Sequence, residues 1–208
     1  MTSKRTIGRL SLYRRLLNEL AAGGAGNVFS RQLAAMTGGT AAQVRRDVMA
    51  VGCAGSPARG YDIRELIEGI GSFLDAPHGQ AVALVGMGNL GRAITAYFAG
   101  RRPKLSIVAA FDNNPDKAGR AVHGCRCYNI TELPEVIRGQ NIRVAIITVP
   151  AGEAQGVADL LVRSGVKGIL NFAPVPLKAP PEVYVEDIDM TMTLEKVAYF
   201  AGKGSVLW

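Results

Sequence analysis

The sequence predicts an α/β protein in which a helix-turn-helix unit precedes a dinucleotide-binding Rossmann domain. Three observations carry that expectation. Charge is unevenly divided: residues 1–60 hold nine Lys/Arg and two Asp/Glu, while residues 61–208 hold fifteen of each. The basic segment has the rhythm of short helices separated by glycine turns. The neutral segment opens on an apolar strand pattern that runs into a complete G-x-G-x-x-G. A basic reader joined to a nucleotide sensor implies a DNA-binding protein governed by a small ligand.

A chain of 208 residues, 48% of them hydrophobic, can build one domain or two modest ones. Apolar runs such as 144–150 are far too short to cross a bilayer. The start lacks an apolar segment of signal-peptide type, so no membrane partner and a cytoplasmic location are expected. Three cysteines cannot all pair with one another. Cys125 and Cys127 lack the second cluster a zinc site needs, so no metal is expected.

Residues 9–22 have helical periodicity: Leu10, Tyr13, Leu17 and Leu20 share a face, widened by Leu12 and Leu16. Glycines 23, 24 and 26 end it. Ser30 is the expected N-cap of a short helix through Met36, with Leu33 and Met36 inward. Thr40 caps a third helix over 41–51, docked by Val44, Val48 and Val51. Its outer side offers Gln43, Arg45 and Arg46. A recognition helix needs this arrangement, with apolar residues docking it and polar side chains projecting into the major groove. Thr40, Gln43, Arg45 and Arg46 are therefore candidate DNA contacts. Residues 52–60 are too rich in Gly, Ala and Pro for a helix. They suit a loop between short strands near 51–53 and 61–63, the wing of a winged helix. Arg59 there can meet a phosphate or the minor groove. The plain alternative is a basic helical bundle that binds no DNA.

Asp62 and Glu65 make a capping box that starts a helix through Leu74, apolar at Ile63, Leu66, Ile67, Ile70 and Phe73. It suits a connector packed between modules. The boundary is expected near residue 78, giving units 1–78 and 79–189 and a tail of 190–208.

Residues 81–85 form a buried strand that feeds Gly86-Met87-Gly88-Asn89-Leu90-Gly91, followed by a helix over 90–98. Gly86 permits the tight turn, Gly88 lets the backbone approach a pyrophosphate, and Gly91 lets helix and strand pack closely. The helix N-terminus supplies N–H groups to the phosphates. A second strand over 105–111 ends at Asp112, twenty-one positions after Gly91. Its carboxylate can accept from adenine-ribose hydroxyls and would repel a 2′-phosphate, which favours NAD(H) over NADP(H). Asn113 lies at the same rim, and Arg120 offsets the exclusion a little. Further strands are expected over 142–149 and 166–171, with a helix over 153–164 between them. The loops after these strands lie at the carboxyl edge of the sheet, so Thr148, Val149, Pro150, Asn171 and Phe172 are pocket candidates.

The segment 172–181 is too rich in proline for an interior helix. An edge strand over 183–186 and a helix starting at Thr191 or Thr193 close the chain. That helix has Leu194, Val197, Ala198 and Phe200 on its apolar side and needs another surface, on its own domain or on a partner. The two histidines, His78 and His123, are poorly placed for hydride chemistry, and little chain is left for a substrate domain. No catalytic residue and no catalytic substrate are therefore expected.

With these residues in view, the chain resembles the Rex family of redox-sensing transcriptional repressors. The resemblance runs through residues 9–13, 40–47, 84–91, 111–112, 148–151 and 168–174. It implies a homodimer with an N-terminal winged helix, a central Rossmann domain that binds NAD+ and NADH, and a domain-swapped C-terminal helix. It also implies binding to double-stranded operator DNA and release when the NADH/NAD+ ratio rises. Arg15, Tyr97 and Asp189 match the family's coupling network between the DNA-reading and nicotinamide regions. Two departures stand out. Pro57 occupies the wing position where an arginine is common, with Arg59 two places later. Met190 stands where some members carry an aromatic residue. An NAD-dependent oxidoreductase, or a divergent relative with altered DNA or redox response, are the alternatives.

Overall fold

The computed structural model describes residues 2–101 and 104–202, and the chain divides into two units, Met1–Pro77 and His78–Trp208. In the first unit, helix α1 spans Lys4–Ala22 and starts five residues before the periodicity suggested. The Ser3 hydroxyl accepts from the Thr6 N–H at 3.2 Å and caps it. An apolar stripe reports only where a helix touches a neighbour, and the first buried residue of α1 is Leu10. A two-residue strand β1 (Asn27–Val28), helix α2 (Ser30–Thr37) and helix α3 (Ala41–Ala50) follow. Ser30 is the first residue of α2 rather than its cap. Phe29 holds the cap position, and its N–H donates to Gln32 Oε1 at 2.7 Å. Met36 is 45% exposed, and Ala34 takes the inward place instead. Thr40 caps α3 as expected, accepting from the Gln43 N–H at 3.2 Å.

The wing departs from expectation. Strand β2 (Tyr61–Asp62) pairs antiparallel with β1, not with a strand at 51–53. Residues 51–53 are taken up by the turn that ends α3, where the Cys53 N–H returns to the Val48 carbonyl at 3.2 Å. Ser56 and Gly60 exchange two backbone hydrogen bonds, at 2.8 and 2.7 Å, and close a short tip around Pro57, Ala58 and Arg59. Helix α4 (Ile63–Leu74) starts on Asp62, whose Oδ1 accepts from the Arg64 and Glu65 N–H groups. Its buried residues Ile63, Leu66 and Ile70 join Leu10, Tyr13 and Leu17 of α1 in one core. Phe73 stays 39% exposed. Arg14 donates to Asp75 at 2.7 Å and fastens α1 to the end of α4.

The second unit comprises β3 (Gln80–Val85), α5 (Asn89–Phe98), β4 (Leu105–Asp112), β5 (Ala121–Val122), β6 (Cys125–Asn129), α6 (Leu133–Gly139), β7 (Val144–Ile147), α7 (Ala151–Arg163), β8 (Gly168–Asn171), β9 (Tyr184–Asp187) and α8 (Met190–Gly202). The sheet order is β5-β6-β4-β3-β7-β8-β9. All pairs are parallel except β5 with β6. Without β5 this is the doubly wound order in which the strand order reverses between β3 and β7, and open α/β sheets bind ligands at such a crevice. Alternate residues serve opposite faces. Ala83, Val85 and Phe111 join one core, while Val82, Leu84 and Ala110 join the other.

Cys125 and Cys127 belong to the second core. Burial, with Cys127 adding to it, pushes the Cys125 thiol up to about 11, which suits a packing residue. Among the described residues no group of three or more His, Cys, Asp or Glu could hold a metal ion. No described helix is long and apolar enough to cross a membrane. The closing helix starts at Met190, earlier than either threonine, because the Asp189 side chain accepts from the Met192 N–H at 2.8 Å and caps it. No residue of α8 is buried, and Leu194, Val197 and Phe200 are 67%, 61% and 55% exposed.

Candidate nucleotide site and nucleic-acid interface

The glycine loop shows why its residues cannot carry side chains. Gly86 has φ 101°, and a Cβ there would lie 2.8 Å from the Thr148 carbonyl oxygen. At Gly91 a Cβ would lie 2.0 Å from the Gly86 carbonyl oxygen. Both glycines are required by the protein's own packing. Gly88 differs, because a Cβ there would meet nothing within 4 Å. The space it leaves is open to a ligand, as a pyrophosphate approaching this backbone requires. Neither α5 nor α7 has a side-chain cap, since Gly88 and Pro150 hold the cap positions. Side chains therefore leave these first turns uncapped, although in α7 the Glu153 N–H donates to the Pro150 carbonyl at 3.0 Å, and an uncapped helix start is where an anion binds.

A cleft of about 420 Å³ lies along this edge. Gly86, Gly88, Asp112, Asn113, Thr148, Val149 and Pro150 line it, together with Lys117, Ile130, Glu153 and Val157, which sequence reasoning missed. Thr148 also fastens the loop, donating its hydroxyl to the Gly86 carbonyl at 2.7 Å. Met87 has a buried side chain, spends its N–H on Asp112 Oδ2 at 2.7 Å and does not line the cleft. Asn89 and Leu90 form the first turn of α5 and do not line the cleft.

Two candidates lie away from this cleft. Asn171 is fully buried, donating to the Ala173 and Val175 carbonyls and to Asp187 and accepting from the Ala173 N–H. Those partners commit its amide to holding the turn after β8, so it does not reach the cleft. Phe172 packs against the core on the Val82 and Leu84 side of the sheet and likewise does not line the cleft.

Asp112 is 6% exposed and already engaged. Its Oδ2 accepts from the Met87 N–H at 2.7 Å and from Lys117 Nζ at 2.9 Å, and its Oδ1 accepts from the Asn114 N–H at 2.9 Å. Burial pushes this carboxyl up, but those hydrogen bonds outweigh it and hold it below the ordinary carboxylate range. The carboxylate therefore anchors the glycine loop. It meets a ribose only through its remaining acceptor capacity.

In the first unit the corresponding anchor is Asp47, which sequence reasoning also missed. Arg9 meets it with two bonds, Nε to Oδ2 at 2.6 Å and Nη2 to Oδ1 at 2.9 Å. The Tyr13 hydroxyl donates to Oδ2 at 3.1 Å, and Gln43 Nε2 donates to Oδ1 at 2.9 Å. Arg46 then donates to Gln43 Oε1 at 3.1 Å, while Arg45 reaches the Ser30 hydroxyl at 3.3 Å. Burial raises the Asp47 carboxyl, but the Arg9 and Gln43 hydrogen bonds and the Arg9 charge turn the net shift downward. Burial, reinforced by the Asp47 charge, pushes the Tyr13 hydroxyl up to about 12. The available signal was a carboxylate at i+3 from Val44 within an apolar stripe. Arg45, Arg46 and Arg59 are exposed. Of the coupling candidates, Arg15 is exposed on α1, Tyr97 is 56% exposed beneath the Arg101 guanidinium at 4.4 Å, and Asp189 caps α8.

A basic helix-turn-helix unit and a Rossmann cleft in one chain define a nucleotide-responsive DNA-binding protein. Comparison with known proteins gives the particular kind. Residues 79–175 match the family described as "CoA binding domain", and residues 2–48 match "Putative DNA-binding protein N-terminus". The redox-sensing transcriptional repressor Rex of Brevibacillus brevis is 40% identical over 198 residues, covering 95% of this chain and 96% of that protein. A Rex-family repressor solved with NAD+ and operator DNA superposes with a TM-score of 0.89 at 31% identity, covering 98% of this chain and 94% of that one. The same repressor with NADH gives a TM-score of 0.85 at 30% identity, covering 98% of this chain and 95% of that one. The chain belongs to the Rex family of redox-sensing transcriptional repressors. It is a regulator, not an enzyme.

Proposed function

We propose that this chain acts in the cytoplasm as a homodimer that binds operator DNA and leaves it when NADH rises relative to NAD+. The observation that carries this reading is the glycine loop, where Gly86 and Gly91 are closed by protein while Gly88 faces open space. The residues of the cleft fit a dinucleotide. The α5 N-terminus and the Gly88 backbone would receive the pyrophosphate, and the remaining lone pairs of Asp112 an adenine-ribose hydroxyl. Thr148, Val149 and Pro150 would border the nicotinamide half. When bound, NAD(H) supplies a nicotinamide whose charge and shape change with its redox state.

On the DNA side, α3 would enter the major groove, with Thr40 at its start and Gln43, Arg45 and Arg46 on its outer surface. Arg59, at the tip closed by Ser56 and Gly60, would meet the backbone or minor groove despite Pro57. Residues 1–78 would form the DNA-reading domain and 79–189 the sensing domain. Residues 190–208 would carry the helix exchanged between subunits, and the exposure of Leu194, Val197 and Phe200 supports that exchange. Only part of that tail, through residue 202, lies among the described residues. Asp189 spends Oδ1 on the helix cap, and in the coupling network that the family resemblance implies its Oδ2 would be the acceptor for Arg15. Tyr97 would offer its hydroxyl as the alternative partner. Met190 would stand beside the nicotinamide, where it can fill volume but cannot stack like a ring.

Thermodynamic linkage provides the test. If NADH lowers operator affinity, the operator must lower NADH affinity by the same factor. Calorimetric titration of NADH into free and operator-bound protein should give unequal affinities, weaker on DNA. Equal affinities would overturn the regulatory reading.

A further inference from the structure

Helix α3 presents more than arginines. Its buried residues are Val44, Asp47 and Val48, which turns Ala42, Arg45, Arg46 and Met49 outward, and all four are exposed. At about 100° per residue, Met49 falls between Arg45 and Arg46 in projection and within ~20° of Ala42. The centre line of the outer face is therefore apolar, and the two guanidinium groups flank it. We infer that Met49 covers the 5-methyl group of a thymine in the major groove, so that this side chain selects a T·A pair in the operator. The inference rests on the reading of α3 as the helix that enters the groove.

Met49 is 71% exposed, and no large apolar side chain among the described residues is more so. The backbone, rather than packing, fixes where it stands. The Gly52 N–H donates to the Met49 carbonyl at 3.0 Å, and the Cys53 N–H donates to the Val48 carbonyl at 3.2 Å. Gly52 takes φ 77° and ends the helix there. Both neighbouring guanidinium groups are engaged elsewhere: Arg45 donates to the Ser30 hydroxyl of α2, and Arg46 donates to Gln43 Oε1, one turn back along α3. The flexible, polarisable thioether is left on the line that a groove-bound helix turns toward the base edges.

Base pairs display hydrogen-bond donors and acceptors in the major groove, and the thymine 5-methyl is the apolar group among them. A methionine gains by covering that methyl. Pressed on a cytosine amine or a purine edge, it would strip water from polar groups and offer them no partner. That asymmetry turns an apolar contact into base selection. Met49 lies three and four residues beyond Arg46 and Arg45, ~4.5–6 Å along the helix axis. Base pairs are spaced by ~3.4 Å, so the thymine should lie within about two base pairs of the arginine contacts.

The test uses the full chain with NAD+. A pool of random duplexes is enriched for binding, and each thymine of the enriched half-site is replaced in turn by deoxyuridine, which lacks only the 5-methyl group. Anisotropy at fixed salt compares wild type with Met49→Ala. Alanine favours the helix, and a thermal melt checks that the variant folds. In wild type, one deoxyuridine position should weaken binding by about fourfold per half-site, the effect of one buried methyl group. Met49→Ala should bind the thymine and deoxyuridine forms of that position within about twofold of each other. Arg45→Ala should bind both forms more weakly and keep the wild-type ratio between them. An enriched half-site without thymine, no methyl effect at any position, or an effect of equal size in Met49→Ala overturns the proposal. If wild type enriches no sequence, the reading of α3 as a DNA-binding helix falls first and this inference with it.

Discussion

Each unit of the chain is organised around one buried, ionised aspartate, and the two are held in opposite ways. Asp47 is held entirely by side chains: Arg9 and Tyr13 from α1 and Gln43 from its own helix. Asp112 is held mainly by backbone, the N–H groups of Met87 and Asn114, with Lys117 added. The first arrangement ties one helix to another and, through Gln43 and Arg46, sets the outer surface of α3, the face proposed to meet DNA. The second ties a strand end to a glycine loop and sets the shape of a cleft. On the proposed reading, recognition of DNA would depend on the packing of helices, and recognition of a nucleotide on local backbone geometry.

The sharpest way to break this comparison is to damage each side separately. Gly91→Val should have the largest effect, because its Cβ alone would lie 2.0 Å from the Gly86 carbonyl. We expect NADH affinity to fall by about a hundredfold or more as the loop shifts, with a loss of ~1–3 kcal/mol in stability. Operator binding should survive and lose its response to NADH, as read by calorimetry and anisotropy on the same preparation.

Asp47→Ala should do the reverse. It strands Arg9, Tyr13 and Gln43 without their acceptor and should destabilise the DNA-reading unit by about 2–4 kcal/mol. Because Arg9 is 29% exposed, solvent recovers part of its loss. Chemical denaturation should show this, with NADH affinity retained.

A smaller effect is expected from Arg45→Ala and Arg46→Ala. Each should weaken operator binding by ~1–3 kcal/mol if it reads a base. A phosphate contact would instead reduce the salt slope by about one.

Acid and alkali should give the mildest distinction. Both aspartates are held below the ordinary carboxylate value. Their contribution is present above about pH 4 and is lost as pH falls through the folded-state values. Tyr13, pushed up to about 12, contributes below its ordinary value of about 10, and that stability is lost as pH rises from about 10 toward 12. Melting temperature against pH should therefore fall at both ends. The alkaline loss should shrink in Tyr13→Phe, which also lacks the hydroxyl bond to Asp47, and the part carried by the buried Cys125 thiol, pushed up to about 11, should remain.

Legibility followed the same division. Elements announced by local patterning emerged within a residue or two: β3 into the glycine loop, Asp112 at the end of β4, Thr40 capping α3, and Asp62 starting α4. Elements defined by contacts distant in sequence did not. β1 is two residues long and has no periodicity to detect, so the partner of β2 was placed at 51–53 instead. Strand β6 reads Cys-Arg-Cys-Tyr-Asn, which alternates, but its meaning depends on pairing with β4. Within the site, the glycines followed from spacing, whereas Lys117 and Glu153 reach the cleft only through the turn after β4 and the start of α7. Asn171 misled because a polar residue at a strand's carboxyl end can face a ligand or brace its own turn, and only the partners distinguish the two.

The most direct measurement is fluorescence anisotropy of a labelled palindromic operator with the full-length protein, at fixed salt and constant NAD+, while NADH is titrated and a scrambled duplex serves as reference. Specific binding that collapses as NADH rises is the expected result. Specific binding that is indifferent to NADH, or equal binding to both duplexes, would contradict the assignment of this chain as an NADH-released repressor.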